Sequence, residues 1–107
     1  MIAVIYRWRV RPGAEEQFVD GWARVTRAIH AGCGSYGSRL HRADDGTWVA
    51  YARWPDVATR ERCTHDEADG QRLMSGAVAE HFDELVLTVD TDLLAEPSPP
   101  PALPGAR

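Results

Sequence analysis

The chain has 107 residues, the length of one small domain. It is 44% hydrophobic and 26% charged, a balance that excludes a wholly disordered chain. The net charge is −4 and all 12 cationic side chains are Arg, which argues against broad nucleic-acid binding, since that needs a basic surface. No apolar run approaches the roughly 18 residues of a membrane-spanning helix. The opening MIAVIYRWRV, interrupted by Arg7 and Arg9, does not read as a signal peptide, so a cytoplasmic protein is expected. C-x-x-C, H-E-x-x-H, P-loop and G-x-G-x-x-G patterns are absent, so nothing in the sequence signals a metal or a nucleotide. Cys33 and Cys63 are expected as free thiols used as small core residues.

Residues 2–10 read as a strand. Ile2, Val4, Tyr6, Trp8 and Val10 share one face, and Ala3, Ile5, Arg7 and Arg9 the other. Asp90 and Thr88 are the expected partners of the two arginines, because an unpaired buried charge is costly. Pro12-Gly13 ends the strand. Residues 14–31 read as a helix whose stripe is Phe18, Gly21, Trp22, Val25, Ala28 and Ile29. Glu15 and Glu16 suit its first turn, and Gly32 and Gly34 its end. Gly21 lies on the stripe, where it allows close approach to a sheet.

Residues 37–43 and 47–54 read as a hairpin around Asp44-Asp45-Gly46. Its register stays open, and with it the facing of Arg39 and His41. Pro55 suits the first turn of a short helix over 55–62. Thr64 and Glu67 suggest a capping box for a second helical piece over 65–81, with the stripe Gly70, Leu73, Met74, Ala77 and Val78. A last strand follows over 84–93. Five of the seven prolines lie after residue 96, so the end of the chain reads as an extended, mobile tail.

The order β-α-β-β-α-β predicts a ferredoxin-like α+β domain over 1–94, with the Pro-rich tail over 95–107. Its four-stranded antiparallel sheet would carry helices on one face. The other face holds enough large groups to be covered by a second copy, so a homodimer is expected.

Two stretches carry a family likeness: Val4-Ile5-Tyr6-Arg7-Trp8-Arg9-Val10-Arg11-Pro12-Gly13, followed by Glu15-Glu16-Gln17-Phe18, and the segment Gly37 to Pro55 (GSRLHRADDGTWVAYARWP). On these residues the chain resembles the antibiotic biosynthesis monooxygenase family of dimeric α+β barrels, over about residues 1–93. The resemblance implies a site between the helices and the sheet of one subunit. The family includes cofactor-free oxygenases that turn polyketide-derived phenols into quinones, haem-degrading enzymes, and small stress- or signal-related proteins. Haem-degrading members typically use an Asn with a Trp and a His ligand, and the quinone-forming members often place an Asn in the site. This chain contains no Asn.

A cofactor-free oxygenase must deprotonate an electron-rich substrate, hold it dry and stabilise its anion. It needs a base, hydrogen-bonding anchors and aromatic walls. His65, at a predicted helix start beside Asp66 and Glu67, is one candidate base, or else a solvated histidine. His81, one turn beyond the Leu73–Val78 stripe, is the other, or else a packed one. Tyr51, ahead of Tyr6, is the candidate donor to the substrate oxygen. Trp54, at a strand end, is the candidate wall. Trp8 and Trp22 read as packing anchors. Arg72 is a candidate at the pocket mouth, or else a solvated side chain.

The leading expectation is a monooxygenase acting on a small phenol- or quinol-like substrate with O2, without cofactor or metal. The alternatives are a non-catalytic module of the same fold, binding a small hydrophobic molecule or a partner, and a haem-binding protein with a His ligand. No nucleic-acid or membrane partner is expected.

Overall fold

The computed structural model describes residues 1–95. In chain order the elements are β1 (Ile2–Val10), α1 (Glu15–Cys33), β2 (Ser38–Arg42), β3 (Trp48–Trp54), α2 (Val57–Glu61), α3 (Ala68–Ala77), β4 (Val78–His81) and β5 (Leu85–Thr88). The antiparallel sheet runs β2-β3-β1-β4, with β5 also paired to β1. This is the expected ferredoxin-like arrangement, except that the last strand is split. β4 pairs with Trp8–Val10 and β5 with Ile2–Ile5, so the two pieces occupy one edge of β1 in succession.

The sequence placed 78–81 in a helix and ran the final strand from 84 to 93. The helix instead stops at Ala77, and Val78 turns to extended backbone. Unpaired N–H and C=O groups along β1 explain the difference. Pairing with them, Trp8 opposite His81 and Val10 opposite Val78, outweighs helix propensity. Two helix starts also move. Asp56 caps α2, its side chain accepting from Thr59 N at 2.7 Å, so Pro55 lies ahead of the helix and not in its first turn. Glu67, and not Thr64, caps α3 by accepting from Gly70 N at 3.2 Å. Gly34 closes α1 in the left-handed conformation.

The hairpin register is now settled. Trp8 lies opposite Trp48, Val4 opposite Ala52, and Tyr51 opposite both Ile5 and Arg39. Trp48, Ala50, Ala52 and Trp54 therefore face the helices with the even residues of β1, and all four are buried. One core cluster joins Trp8, Phe18, Trp48, Ala50 and Ala77. Phe18 meets Trp8 edge-on with ring centroids 5.2 Å apart. A second cluster joins Ile2, Val4, Ala52 and Trp54, with Ile29 and both cysteines packed against it.

Gly21 does allow a close approach, but to α3 and not to the sheet. A Cβ there would lie 2.7 Å from the Gly70 carbonyl oxygen and 2.8 Å from Leu73 Cβ. The cysteines are not free thiols. Cys33 ends α1, Cys63 follows α2, and a disulfide joins them across a Cα separation of 5.1 Å. Both cysteines pack against the Ile2–Trp54 cluster, which brings their sulfurs within bonding reach.

The arginines of β1 are paired, but with other partners than expected. Arg7 donates to Asp45 at 3.0 Å and Arg9 to Glu80 at 3.4 Å. Asp45 also accepts from the Thr47 hydroxyl at 2.6 Å and the Thr47 backbone N–H at 3.0 Å. The Thr47 hydroxyl, then its N–H, and to a lesser degree Arg7, hold the Asp45 carboxyl down to about 2. The tail expected from residue 95 lies outside the described residues beyond that position. No helix among the described residues is long and apolar enough to cross a membrane.

Candidate active site

A cavity of about 590 Å³ opens between α1, α3 and the helix-facing side of the sheet. β1 contributes Tyr6 and Trp8, α1 contributes Trp22, Val25 and Ile29, and β3 contributes Trp54. Met74 and Ser75 of α3 and His81 of β4 close other sides. None of its lining residues among those described is Asp, Glu, Arg or Lys. Such a space suits an uncharged, flat, largely apolar ligand held by a few polar contacts.

Of the five residues singled out from sequence, the cavity brings together His65, His81 and Trp54. It leaves out Tyr51 and Arg72. Tyr51 occupies an odd position of β3, so it belongs to the opposite face of the sheet. Arg72 is exposed on α3 and pairs with Asp69, three residues earlier. Trp8 and Trp22, read as packing anchors, also form cavity wall.

His81 stacks on Trp8 with ring centroids 6.1 Å apart and planes 12° apart. Tyr6, two residues before Trp8 on β1, also stacks on this indole, at 5.9 Å and 9°. No hydrogen bond engages His81 among the described residues, so a ring nitrogen is open to a ligand. His65 is engaged at both nitrogens. The Glu67 backbone N–H donates to Nδ1 at 3.3 Å, and Nε2 lies 3.2 Å from the Gln71 side-chain amide. A neutral imidazole has one N–H and one lone pair. With the Nδ1 lone pair taken, the proton is assigned to Nε2 and is spent on Gln71, whose amide oxygen and nitrogen are assigned in exchanged positions to accept it. In this arrangement both ring nitrogens of His65 are engaged, whereas the His81 ring carries no hydrogen bond among the described residues.

Trp54 is 3% exposed. Its Nε1 is the one buried side-chain polar atom without a hydrogen-bond partner among the described residues. Leaving such a donor unmet costs about 1–3 kcal/mol.

The family profile described as Antibiotic biosynthesis monooxygenase matches residues 1–65, which hold β1 through α2 and reach His65. The chain belongs to the antibiotic biosynthesis monooxygenase family. No curated protein sequence matches it. Among solved structures, SnoaB, a cofactor-independent oxygenase from Streptomyces nogalater, is similar at 19% identity and a TM-score of 0.71, over 86% of this chain and 95% of SnoaB. A Bordetella bronchiseptica protein assigned to the same family is similar at 22% identity and a TM-score of 0.70, over 84% of this chain and 97% of that one. Rv0793 from Mycobacterium tuberculosis is similar at 18% identity and a TM-score of 0.70, over 87% and 98%. At these identities the likeness establishes the monooxygenase fold.

Around the cavity of this antibiotic biosynthesis monooxygenase domain, Tyr6 stood second in the sequence reading and Gln71 escaped it. Tyr6 was ranked below Tyr51, although its parity with Val4 and Trp8 on β1 was the signal that it faces the helices. Gln71 carried no sequence signal, because its part depends on where the turn before α3 sets His65.

Proposed function

We propose that this domain is a cofactor-independent monooxygenase that oxidises an uncharged, fused-ring hydroxyaromatic with O2. The observation that carries the reading is the cavity itself: three indoles and an imidazole free of side-chain hydrogen bonds line a space with no Asp, Glu, Arg or Lys among the described residues, and the buried Trp54 N–H in its wall has no partner among them. His81 takes the proton of the substrate hydroxyl as general base. Trp54 Nε1–H, which has no partner among the described residues, holds the resulting oxyanion. The electron-rich ring then passes one electron to O2, and the two radicals combine at the ring carbon. Loss of water from that peroxide leaves a quinone. Overall, one phenol C–H and O–H pair plus O2 becomes two carbonyls and one water.

The same reading includes a homodimer. Ile5, Val49, Tyr51, Leu85 and Leu87 share the face turned away from the helices, and Leu85 is 59% exposed. A second copy would cover this face.

The test is oxygen uptake and quinone formation with a panel of naphthols, anthrones and hydroxyanthracenes, with metal chelators present. Uptake that requires protein, and falls at least 100-fold in His81→Gln, is the expected result. Tight binding across the panel without uptake would turn the assignment to a ligand-binding module.

A further inference from the structure

Beside the cavity, Tyr6 has a partner the proposed chemistry has not used. Arg60 Nη2 donates to the Tyr6 hydroxyl oxygen at 3.3 Å, and its guanidinium carbon lies 5.9 Å from the Tyr6 ring centroid. The same Nη2 donates to Glu84 Oε1 at 2.5 Å. Arg60 therefore ties α2 to the turn between β4 and β5, with Tyr6 of β1 between them. Burial opposes its charge, but the bonds to Glu84 and Tyr6 outweigh burial and hold the guanidinium proton above its ordinary range.

Guanidinium can only donate, so the Tyr6 oxygen must accept. Its own hydrogen then has no acceptor among the described residues, while the ring itself lines the cavity. A hydroxyl that accepts from a cation is polarised into a stronger donor. Trp8 holds the Tyr6 ring in place by stacking.

We propose that Tyr6 is a hydrogen-bond donor to the substrate oxyanion, and that Arg60, fixed by Glu84, is the positioning residue that orients and polarises it. This rests on the cavity being the substrate site. The device favours a ligand bound as its anion although no Arg or Lys among the described residues lines the cavity, because the guanidinium charge acts through the phenol. The remaining titratable side chains of the lining are His65 and His81, and neither is hydrogen-bonded to Tyr6 or Arg60.

The probe is 4-nitro-1-naphthol, whose phenolate absorbs in the visible. Binding is followed by quenching of tryptophan fluorescence, and ionisation of the bound probe by its absorbance against pH. The wild-type chain is expected to bind it and to lower its pKa. Tyr6→Phe and Arg60→Gln should each raise the bound-probe pKa by about one unit, a tenfold loss of preference for the anion. Arg60→Lys should restore part of the shift. In a Tyr6→Phe background, Arg60→Gln should add nothing, which separates action through Tyr6 from a direct charge effect. Glu84→Gln, at a half-exposed side chain, repeats the test if the Arg60 variants do not fold. Binding with an unchanged bound-probe pKa in Tyr6→Phe and Arg60→Gln overturns the proposal and leaves the cavity reading standing. Absence of wild-type binding overturns both.

Discussion

The imidazole of His81 lies parallel to the indole of Trp8, with the two residues directly opposite one another on β4 and β1. The strand pairing sets this relationship, and the stacking fixes the ring plane. An imidazole restrained in this way lines the cavity without spending a side-chain hydrogen bond on the described residues. His81→Gln should therefore lose at least 100-fold in kcat, the usual worth of a general base, while the affinity for a hydroxyaromatic changes less than threefold. Steady-state oxygen uptake beside fluorescence titration checks both. Equal loss of affinity and turnover would assign His81 to binding.

The Asp45 carboxyl is held at about 2, below the ordinary value of 3.8, by the Thr47 hydroxyl and N–H with Arg7 behind them. A lowered carboxylate contributes stability that is fully present above the unfolded value and is lost as pH falls through the folded one. Asp45→Asn should thus be less stable than wild type at pH 7. The gap should shrink between about pH 4 and pH 2, and there the variant's stability should depend less steeply on pH. Thermal melts from pH 2 to 7 measure this. A gap independent of pH would assign the effect to packing of the turn.

The Cys33–Cys63 bond closes a loop across 30 positions and joins α1 to the segment that carries His65. Cys33→Ser with Cys63→Ser should lower stability by about 3 kcal/mol. Ligand affinity should fall as well, because the His65 segment is tied to α1 through this bond. Denaturant unfolding and fluorescence titration of the paired variant, against wild type with and without reductant, check both.

Gly21 is a packing requirement of the cavity wall. A methyl group at this position meets the Gly70 carbonyl and the Met74 backbone nitrogen, which cannot turn aside as a side chain can. Gly21→Ala should cost about 1–3 kcal/mol despite its better helix propensity. Because Trp22 and Met74 line the cavity on the two helices, the variant should also bind flat ligands more weakly. Unchanged stability would mean that α1 and α3 slide apart freely.

Much of the fold was legible because its signals are local. Period-two alternation over Ile2–Val10 and Trp48–Trp54, the Phe18–Ile29 stripe and the Asp44-Asp45-Gly46 turn each follow from backbone geometry within a few residues. Part of the candidate site was legible for the same reason: Trp54 stands at a strand end on the face shared with Trp48. Tyr51 lies outside the cavity, and this was not legible because which parity of β3 faces the helices could be read only once the hairpin register was known. Arg60 carried no local signal at all, since its partners Tyr6 and Glu84 lie 54 and 24 positions away.

The sequence by itself determined the α+β order, the antiparallel hairpin and a supply of indoles and imidazoles, because short-range periodicity and composition encode these. Only the tertiary structure decided that 78–81 is a strand, that Cys33 meets Cys63, that Arg7 finds Asp45, and that Tyr6 joins His81 around Trp8. Each of these depends on groups far apart in the chain competing for the same partner. The outcome is set by which unpaired edge, charged side chain or open ring the fold brings within reach.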